Sequence, residues 1–215
     1  MSKKATFNND LEWGNHFEIS SITLIERLFT KVLKKENKKL LYCGSNNSTS
    51  LTELKKYDTI YGVYDEKGAR LKTLTFEIKT DKYPSNNAFI ERTCSKKLSG
   101  VFKTEADYFI YIMPLHQENN FFIIKPEHLI EMLNKGQYHL TSGGDGNRVT
   151  GYLVDRNEFV ADFKNAGGLV KTYNLTIPDK FNACKMATAT KKDITISNLS
   201  KMKEYPDPFD WSNRN

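Results

Sequence analysis

One eleven-residue segment, LKTLTFEIKTD at residues 71–81, constrains the fold of this chain most strongly. Apolar and polar residues alternate along it, and this period of two predicts a β-strand with one buried face. One face carries Leu74, Phe76 and Ile78. The other carries Thr75, Glu77 and Lys79. Glu77 and Lys79 therefore share a face, about 7 Å apart along the strand. We interpret them as a fixed functional pair, because the back of the strand is apolar.

The Glu-x-Lys spacing is not specific by itself. It also occurs at Glu36 and Glu53, in polar lysine-rich segments without a strand pattern. Only the strand context distinguishes the copy at Glu77. The alternative interpretation is an ordinary surface ion pair on a half-exposed strand.

A second strand is predicted just before this segment, with a turn at residues 65–68 (DEKG) joining the two. Most of its residues are aromatic or β-branched, and it also contains Asp58, which strand propensity disfavours. A position at the end of the strand explains Asp58, and the hairpin brings it towards Glu77. The register of this hairpin does not follow from the sequence. Asp65 is the alternative carboxylate, although it lies in the turn.

A helix is predicted over residues 10–35, where apolar residues recur three and four apart. Glu18 lies in line with Ile22, Ile25 and Phe29 on the apolar stripe. A carboxylate on such a stripe is costly unless another group pairs with it. We therefore include Glu18 in the candidate site; the alternative is a position in a fraying first turn.

The rest of the chain predicts further strands and helices around this centre. The predicted elements are a strand at 88–91, a buried hairpin from 108–113 and 121–124, a helix from Pro126 to Gly136, a helix capped by Asp155 and Glu158, and a strand at 169–177. This order indicates an α/β (α+β) domain with one central mixed β-sheet flanked by helices. Residues 1–178 are expected to form this domain. Residues 179–215 form a polar extension that is either docked or flexible.

Charge and composition narrow the function classes. The formal net charge of +6 and the isoelectric point near 9.0 favour a polyanionic partner such as nucleic acid, although many basic proteins have no such partner. The three cysteines are far apart and form no CxxC. The N-terminal segment lacks the apolar run of a signal peptide, and the longest apolar stretch is too short to cross a bilayer. We therefore expect a cytoplasmic protein without a membrane partner.

The unusual charged residues form one candidate site, comprising Glu18, Asp58, Glu77, Lys79 and Glu91, the last at the end of the strand AFIE. Carboxylates that converge with a lysine suit Mg²⁺ or Mn²⁺. Such an ion acidifies a bound water and stabilises a departing oxygen, while the lysine holds or deprotonates the water. This set of groups is suited to hydrolysing a phosphodiester.

The order of these residues resembles the PD-(D/E)XK nuclease superfamily, which has the restriction-endonuclease-like fold. Small phage and bacterial members are the most similar, because they tend to carry Gly-x-x-x-Glu in the first helix, here Gly14 to Glu18, and often F-E-(I/V)-K-T-D, here residues 76–81. Further similar segments are FIE at 89–91, the SG before KTEADYFIYI, and GGDGN near 143–147. The resemblance covers roughly residues 10–163.

The resemblance implies a Mg²⁺-dependent deoxyribonuclease, an endonuclease in which Mn²⁺ substitutes, of viral or mobile-element origin and therefore acting in a host cytosol. Asp58 and Glu77 would ligate the metal together with the carbonyl of Ile78, and Lys79 would orient or activate the water. Glu18 would hold the metal-bound water or a second ion. The resemblance also implies that Glu91 would support the site.

One position departs from the family pattern, because Tyr57 stands where the motif has proline before its aspartate. Candidate contacts to DNA phosphates are Lys96, Lys97, Lys103 and Arg148, although isolated surface cations are common. Two alternative functions stay open: a non-catalytic nucleic-acid-binding or interaction module on the same fold, and a resolvase-like, structure-specific nuclease that acts as a homodimer.

Overall fold

Two β-sheets and three α-helices make up the part of the chain that this computed structural model describes, residues 3–45, 56–143 and 148–177. The helices are α1 (Lys3–Lys35), α2 (Pro126–Lys135) and α3 (Arg156–Asn165). The strands are β1 (Lys39–Ser45), β2 (Thr59–Tyr64), β3 (Arg70–Thr80), β4 (Asn87–Cys94), β5 (Lys97–Leu98), β6 (Tyr108–Ile112), β7 (Phe121–Ile124), β8 (His139–Gly143), β9 (Val149–Asp155) and β10 (Leu169–Lys171). A short 3-10 helix at Gly100–Phe102 follows β5.

The larger sheet has six strands in the order β1-β2-β3-β6-β7-β10. Its neighbours are antiparallel except for β3 and β6, which run parallel. The predicted α/β (α+β) class with a central mixed sheet is therefore confirmed. The predicted burial of the β6–β7 hairpin is also confirmed, because every residue of these two strands is buried.

The expectation of a single sheet is wrong, since β4 belongs to a second, antiparallel sheet in the order β5-β4-β9-β8. No sequence pattern marks β8, because its residues are exposed or half-buried and do not alternate between apolar and polar. Because the sequence pattern does not reveal β8, it also does not indicate that β4 and β9 belong to a separate sheet. Periodicity predicts that a strand exists, but not which edge it pairs with.

Helix α1 covers one face of the central sheet. It begins at Lys3 rather than near residue 10, because its first turns are polar and lack an apolar period. Its buried stripe runs through Trp13, Phe17, Ile25 and Phe29. Glu18 is half-buried and lies beside this stripe rather than on it.

The central sheet separates two apolar cores. Phe76 and Ile78 of β3 point into the first core, towards Phe29 of α1. Glu77 and Lys79 pair with Phe109 and Tyr111 of β6 and therefore point to the opposite face. There Phe109 and Tyr111 join the second core, which α2, α3 and the second sheet also supply. The alternation of β3 thus places the acid and the lysine on the face that does not carry α1.

The predicted helix ends agree with the structure. Pro126 opens α2 and Gly136 follows its last turn. The Asp155 side chain caps α3 by accepting hydrogen bonds from the backbone N–H groups of Asn157 and Glu158, at 2.9 and 3.3 Å. Among the helices in the described ranges, none is long and apolar enough to cross a membrane.

Strand β10 is shorter than the predicted strand 169–177. After Lys171 the chain leaves the sheet and returns to α1, where the carbonyl of Thr176 lies 3.1 Å from His16 Nε2. Tyr173 in this segment packs against the first core. The predicted polar extension, 179–215, lies outside the described residues, as do residues 144–147 of the glycine-rich segment.

Candidate active site

The register of the β2–β3 hairpin brings Asp58 to Glu77. Thr59 pairs with Phe76, so Asp58 stands at the end of β2 beside the Glu-x-Lys segment. Its backbone N–H donates to the Phe76 carbonyl at 2.8 Å. Its side-chain Oδ2 accepts a 2.6 Å hydrogen bond from the backbone N–H of Ile78. The strand-end position expected for Asp58 is therefore where the structure places it.

Lys79 joins the two carboxylates. Its Nζ lies 2.6 Å from Oε1 of Glu77 and 3.9 Å from Oδ2 of Asp58. The Glu77 side chain exposes 11% of its surface and that of Asp58 21%, whereas that of Lys79 exposes 43%. The cluster is therefore closed at its carboxylates and open to solvent at the lysine.

Burial and mutual charge set the protonation of this pair. Burial raises the pKa of Glu77 and the Asp58 charge adds to this, while the Lys79 charge lowers it in part. Burial lowers the pKa of Lys79, but the charges of Glu77 and Asp58 together more than offset this, so its pKa lies above the usual value. Lys79 is consequently a firmly protonated ammonium at neutral pH.

Glu18 belongs to the same electrostatic environment. Burial raises the pKa of Glu18 first, the Asp58 and Glu77 carboxylates raise it further, and Lys79 lowers it in part. In the described part of the chain, no hydrogen bond or ion pair links the Glu18 side chain to the other three residues. Glu18 therefore interacts electrostatically with the cluster, but its side chain is not bound to it by a hydrogen bond or ion pair among the described residues.

Thr104, a residue that no sequence pattern marks, completes the surroundings of Glu77. The hydroxyl of Thr104 lies 3.4 Å from Oε2 of Glu77, the oxygen that does not face Lys79. Thr104 lies in the segment KTEADY, whose periodicity and spacing are unremarkable. Only the tertiary contact reveals it.

The structure does not connect Glu91 or Asp65 to the cluster. Glu91 is half-buried on β4 of the second sheet, where the β4–β9 register shifts, and no hydrogen bond or ion pair among the described residues joins it to the site. Asp65 closes the turn of the β2–β3 hairpin, where its Oδ1 accepts from the backbone N–H of Ala69 at 2.8 Å. Asp65 is therefore a turn residue, as its sequence context indicated.

The four candidate DNA contacts fall into two places. Lys96 and Lys97 are exposed at the β4–β5 turn, where Ser95 and Lys96 adopt positive φ angles of 49° and 66°. The carbonyl of Arg148 accepts a 2.8 Å hydrogen bond from the Ser95 N–H, which places Arg148 at the same end of the second sheet. Lys103 is also exposed, and it directly precedes Thr104, whose hydroxyl lies 3.4 Å from Glu77.

The donor atoms of the cluster suit a hard divalent cation. Asp58 and Glu77 offer carboxylate oxygens, and oxygen is the ligand that Mg²⁺ and Mn²⁺ prefer. Within residues 3–45, 56–143 and 148–177, no group of three or more acidic, histidine or cysteine side chains converges closely enough to hold a metal. The Lys79 ammonium supplies the positive charge instead. A metal would therefore require Lys79 to move away from Glu77.

Comparisons with protein-family models, with curated proteins and with solved structures returned no match to this chain. The chemistry of the cluster is therefore inferred from its own geometry, in which two carboxylates share one ammonium at the open end of a hairpin.

Proposed function

We propose that this protein is a Mg²⁺-dependent nuclease that hydrolyses DNA phosphodiester bonds as an endonuclease. The observation that carries the proposal is the convergence of Asp58, Glu77 and Lys79, with Lys79 Nζ 2.6 Å from one carboxylate and 3.9 Å from the other. Glu18 adds a third acidic group to the same electrostatic environment. Carboxylate oxygens suit a divalent cation, and a lysine can offset charge on a phosphate, so these groups suit metal-assisted phosphodiester hydrolysis.

In this mechanism Asp58, Glu77 and the Ile78 carbonyl would hold the ion. The ion, when bound, lowers the pKa of a water and offsets charge on the phosphate. The hydrogen bond from Ile78 N–H orients Asp58 through Oδ2. Lys79, which lies 2.6 Å from Glu77 and 3.9 Å from Asp58, would orient or activate the attacking water or offset charge on the phosphate.

The expected substrate is DNA in the cytosol, that of a host cell if the chain is viral. The net charge of +6 supports a polyanionic substrate. The exposed Lys103, next to Thr104, would meet a phosphate near the scissile bond. The group formed by Lys96, Lys97 and Arg148 would contact the backbone farther away.

The chain contains its own matched control for testing this proposal. Glu36 and Lys38 form another Glu-x-Lys ion pair, with Lys38 Nζ 2.6 Å from the Glu36 carboxylate, in the segment between α1 and β1. We expect Glu77→Ala and Lys79→Ala to abolish cleavage of plasmid DNA in Mg²⁺ or Mn²⁺ without unfolding the protein. Glu36→Ala and Lys38→Ala should cleave like the wild type. Wild-type cleavage by both site variants would contradict the proposal.

The second candidate function is a nucleic-acid-binding module without catalysis. It is favoured by the ion pair that closes Lys79 onto Glu77, which leaves the described residues without a preformed three-ligand metal group. Undiminished DNA affinity of the Glu77→Ala variant, together with no cleavage by the wild type in Mg²⁺, Mn²⁺ or other divalent ions, would support this function over the nuclease.

A further inference from the structure

We propose that Thr104 is a positioning residue that orients the Glu77 carboxylate for metal binding. Its hydroxyl lies 3.4 Å from Oε2 of Glu77, while Oε1 of the same carboxylate faces Lys79 at 2.6 Å. The two oxygens therefore have different neighbours. This inference rests on the proposed function in so far as it takes Glu77 to be a metal ligand.

The hydrogen bonds of the Thr104 hydroxyl leave its proton available to Glu77. A hydroxyl donates one hydrogen and accepts through two lone pairs. Oγ1 accepts from the backbone N–H of Ala106 at 3.1 Å, and its one hydrogen is shared between the carbonyl of Lys56 at 3.0 Å and Oε2 of Glu77 at 3.4 Å. That carbonyl also accepts from the N–H of Glu105 at 3.0 Å. The Lys56 carbonyl thus keeps a donor when the hydroxyl hydrogen turns to Glu77.

The loop that carries Thr104 is bound to the segment before β2 and to strand β3. On one side, Lys56, which lies just before Asp58 in the chain, forms a 3.2 Å ion pair with Glu105. On the other, Asp107 accepts from the Thr75 backbone N–H of β3 at 2.8 Å. The hydroxyl therefore stands on a frame that joins the segment leading to Asp58 with the strand that carries Glu77.

Such a hydrogen bond restricts rotation of the Glu77 carboxylate about its terminal torsion, which is broad and soft in glutamate. Holding Oε2 at the hydroxyl directs Oε1 towards Asp58 and Lys79, where a cation would bind. Replacing a group that orients a metal ligand in this way typically lowers metal affinity or activity by about 10- to 100-fold.

The test compares Mn²⁺ binding by the full-length chain and its variants, measured by calorimetry. Thr104→Val keeps the shape of the side chain and removes the hydroxyl, and we expect it to weaken Mn²⁺ binding by about 10-fold. Thr104→Ser should restore binding to near the wild-type level. The control Thr93→Val removes a threonine hydroxyl in the second sheet, where Thr93 contacts Thr150, and should bind Mn²⁺ like the wild type. Wild-type affinity in Thr104→Val would overturn the inference.

A second measurement separates failure of the inference from failure of the proposed function. Unfolding of Thr104→Val, Glu77→Ala and the double variant, in which neither replacement side chain can form the hydrogen bond, forms a cycle that needs no metal. Non-additive effects support the contact between Thr104 and Glu77, and additive effects overturn it. Absence of Mn²⁺ binding by the wild type would instead overturn the metal-dependent function, whatever the cycle shows.

Discussion

The backbone N–H of Ile78 donates a 2.6 Å hydrogen bond to Oδ2 of Asp58. The bond crosses the β2–β3 hairpin and joins two residues that are far apart in sequence. The strand that carries Glu77 therefore also orients the carboxylate of Asp58. The Asp58 side chain is fixed by backbone geometry, so the site depends on the hairpin register as well as on its side chains.

Replacing Asp58 separates its structural role from its chemical role. Asp58→Ala leaves the Ile78 N–H without its acceptor and should lower the free energy of unfolding by about 1–3 kcal/mol, measured in urea. Asp58→Asn keeps an acceptor and should lose less stability. Both variants should fail to cleave DNA with Mg²⁺, because neither side chain offers the ion a negative charge. Cleavage by Asp58→Asn at the wild-type rate would remove Asp58 from the set of metal ligands.

The ionised side chain of Glu18 should lower the free energy of unfolding at neutral pH. Its folded pKa is raised above 4.5, first by burial, so ionisation disfavours the folded state. Glu18→Gln should therefore be more stable than the wild type at pH 7 without metal. The advantage should shrink as pH falls through the folded pKa and vanish below 4.5, where both states of the wild type are protonated. Thermal unfolding across this pH range measures the difference.

Glu131 provides a control of opposite sign for that experiment. Its pKa is lowered by the hydrogen bond from Lys135, so its ion pair contributes only above the unfolded pKa and is lost as pH falls. Glu131→Gln should gain no stability at pH 7. A gain equal to that of Glu18→Gln would show that the effect is general charge reduction rather than the environment of Glu18.

The Lys79 ammonium and a divalent cation should substitute for each other in stabilising the fold. Lys79→Met leaves Glu77 and Asp58 without a nearby positive charge, so its melting temperature in EDTA should fall below that of the wild type. Because the folded pKa of Lys79 is raised, this difference should be present below pH 10.5 and shrink as pH rises further. Adding Mn²⁺ should raise the melting temperature of Lys79→Met more than that of the wild type. An equal rise of the melting temperature in both proteins would show that the cation does not take the place of the Lys79 ammonium.

The basic end of the second sheet should contribute to DNA affinity through salt-dependent binding of phosphates. Replacing Lys96 and Lys97 by alanine should weaken binding and lower the slope of log affinity against log salt by about 0.9 for each phosphate that the variant no longer neutralises. Fluorescence anisotropy with duplex DNA at several salt concentrations measures this slope. Lys135→Ala, which replaces an exposed lysine paired with Glu131 on α2, is the control and should leave the slope unchanged.

Much of the local structure followed from the sequence because it depends on neighbouring residues. The alternation of LKTLTFEIKTD placed Glu77 and Lys79 on one face, and the apolar hairpin of β6 and β7 was recognisable from its composition. Pro126 and Asp155 marked the starts of two helices. These features arise from backbone periods and caps, which act within a few residues.

That Glu77 and Lys79 lie side by side follows from strand alternation, because alternate residues of a strand must point the same way. That Asp58 meets them depends on the hairpin register, which follows from packing and turn geometry along both strands. The approach of Glu18, the separation of Glu91 into a second sheet and the contact of Thr104 with Glu77 were decided in the same way. Each depends on residues distant in the chain, whose positions relative to one another are set by the packed cores rather than by any local pattern.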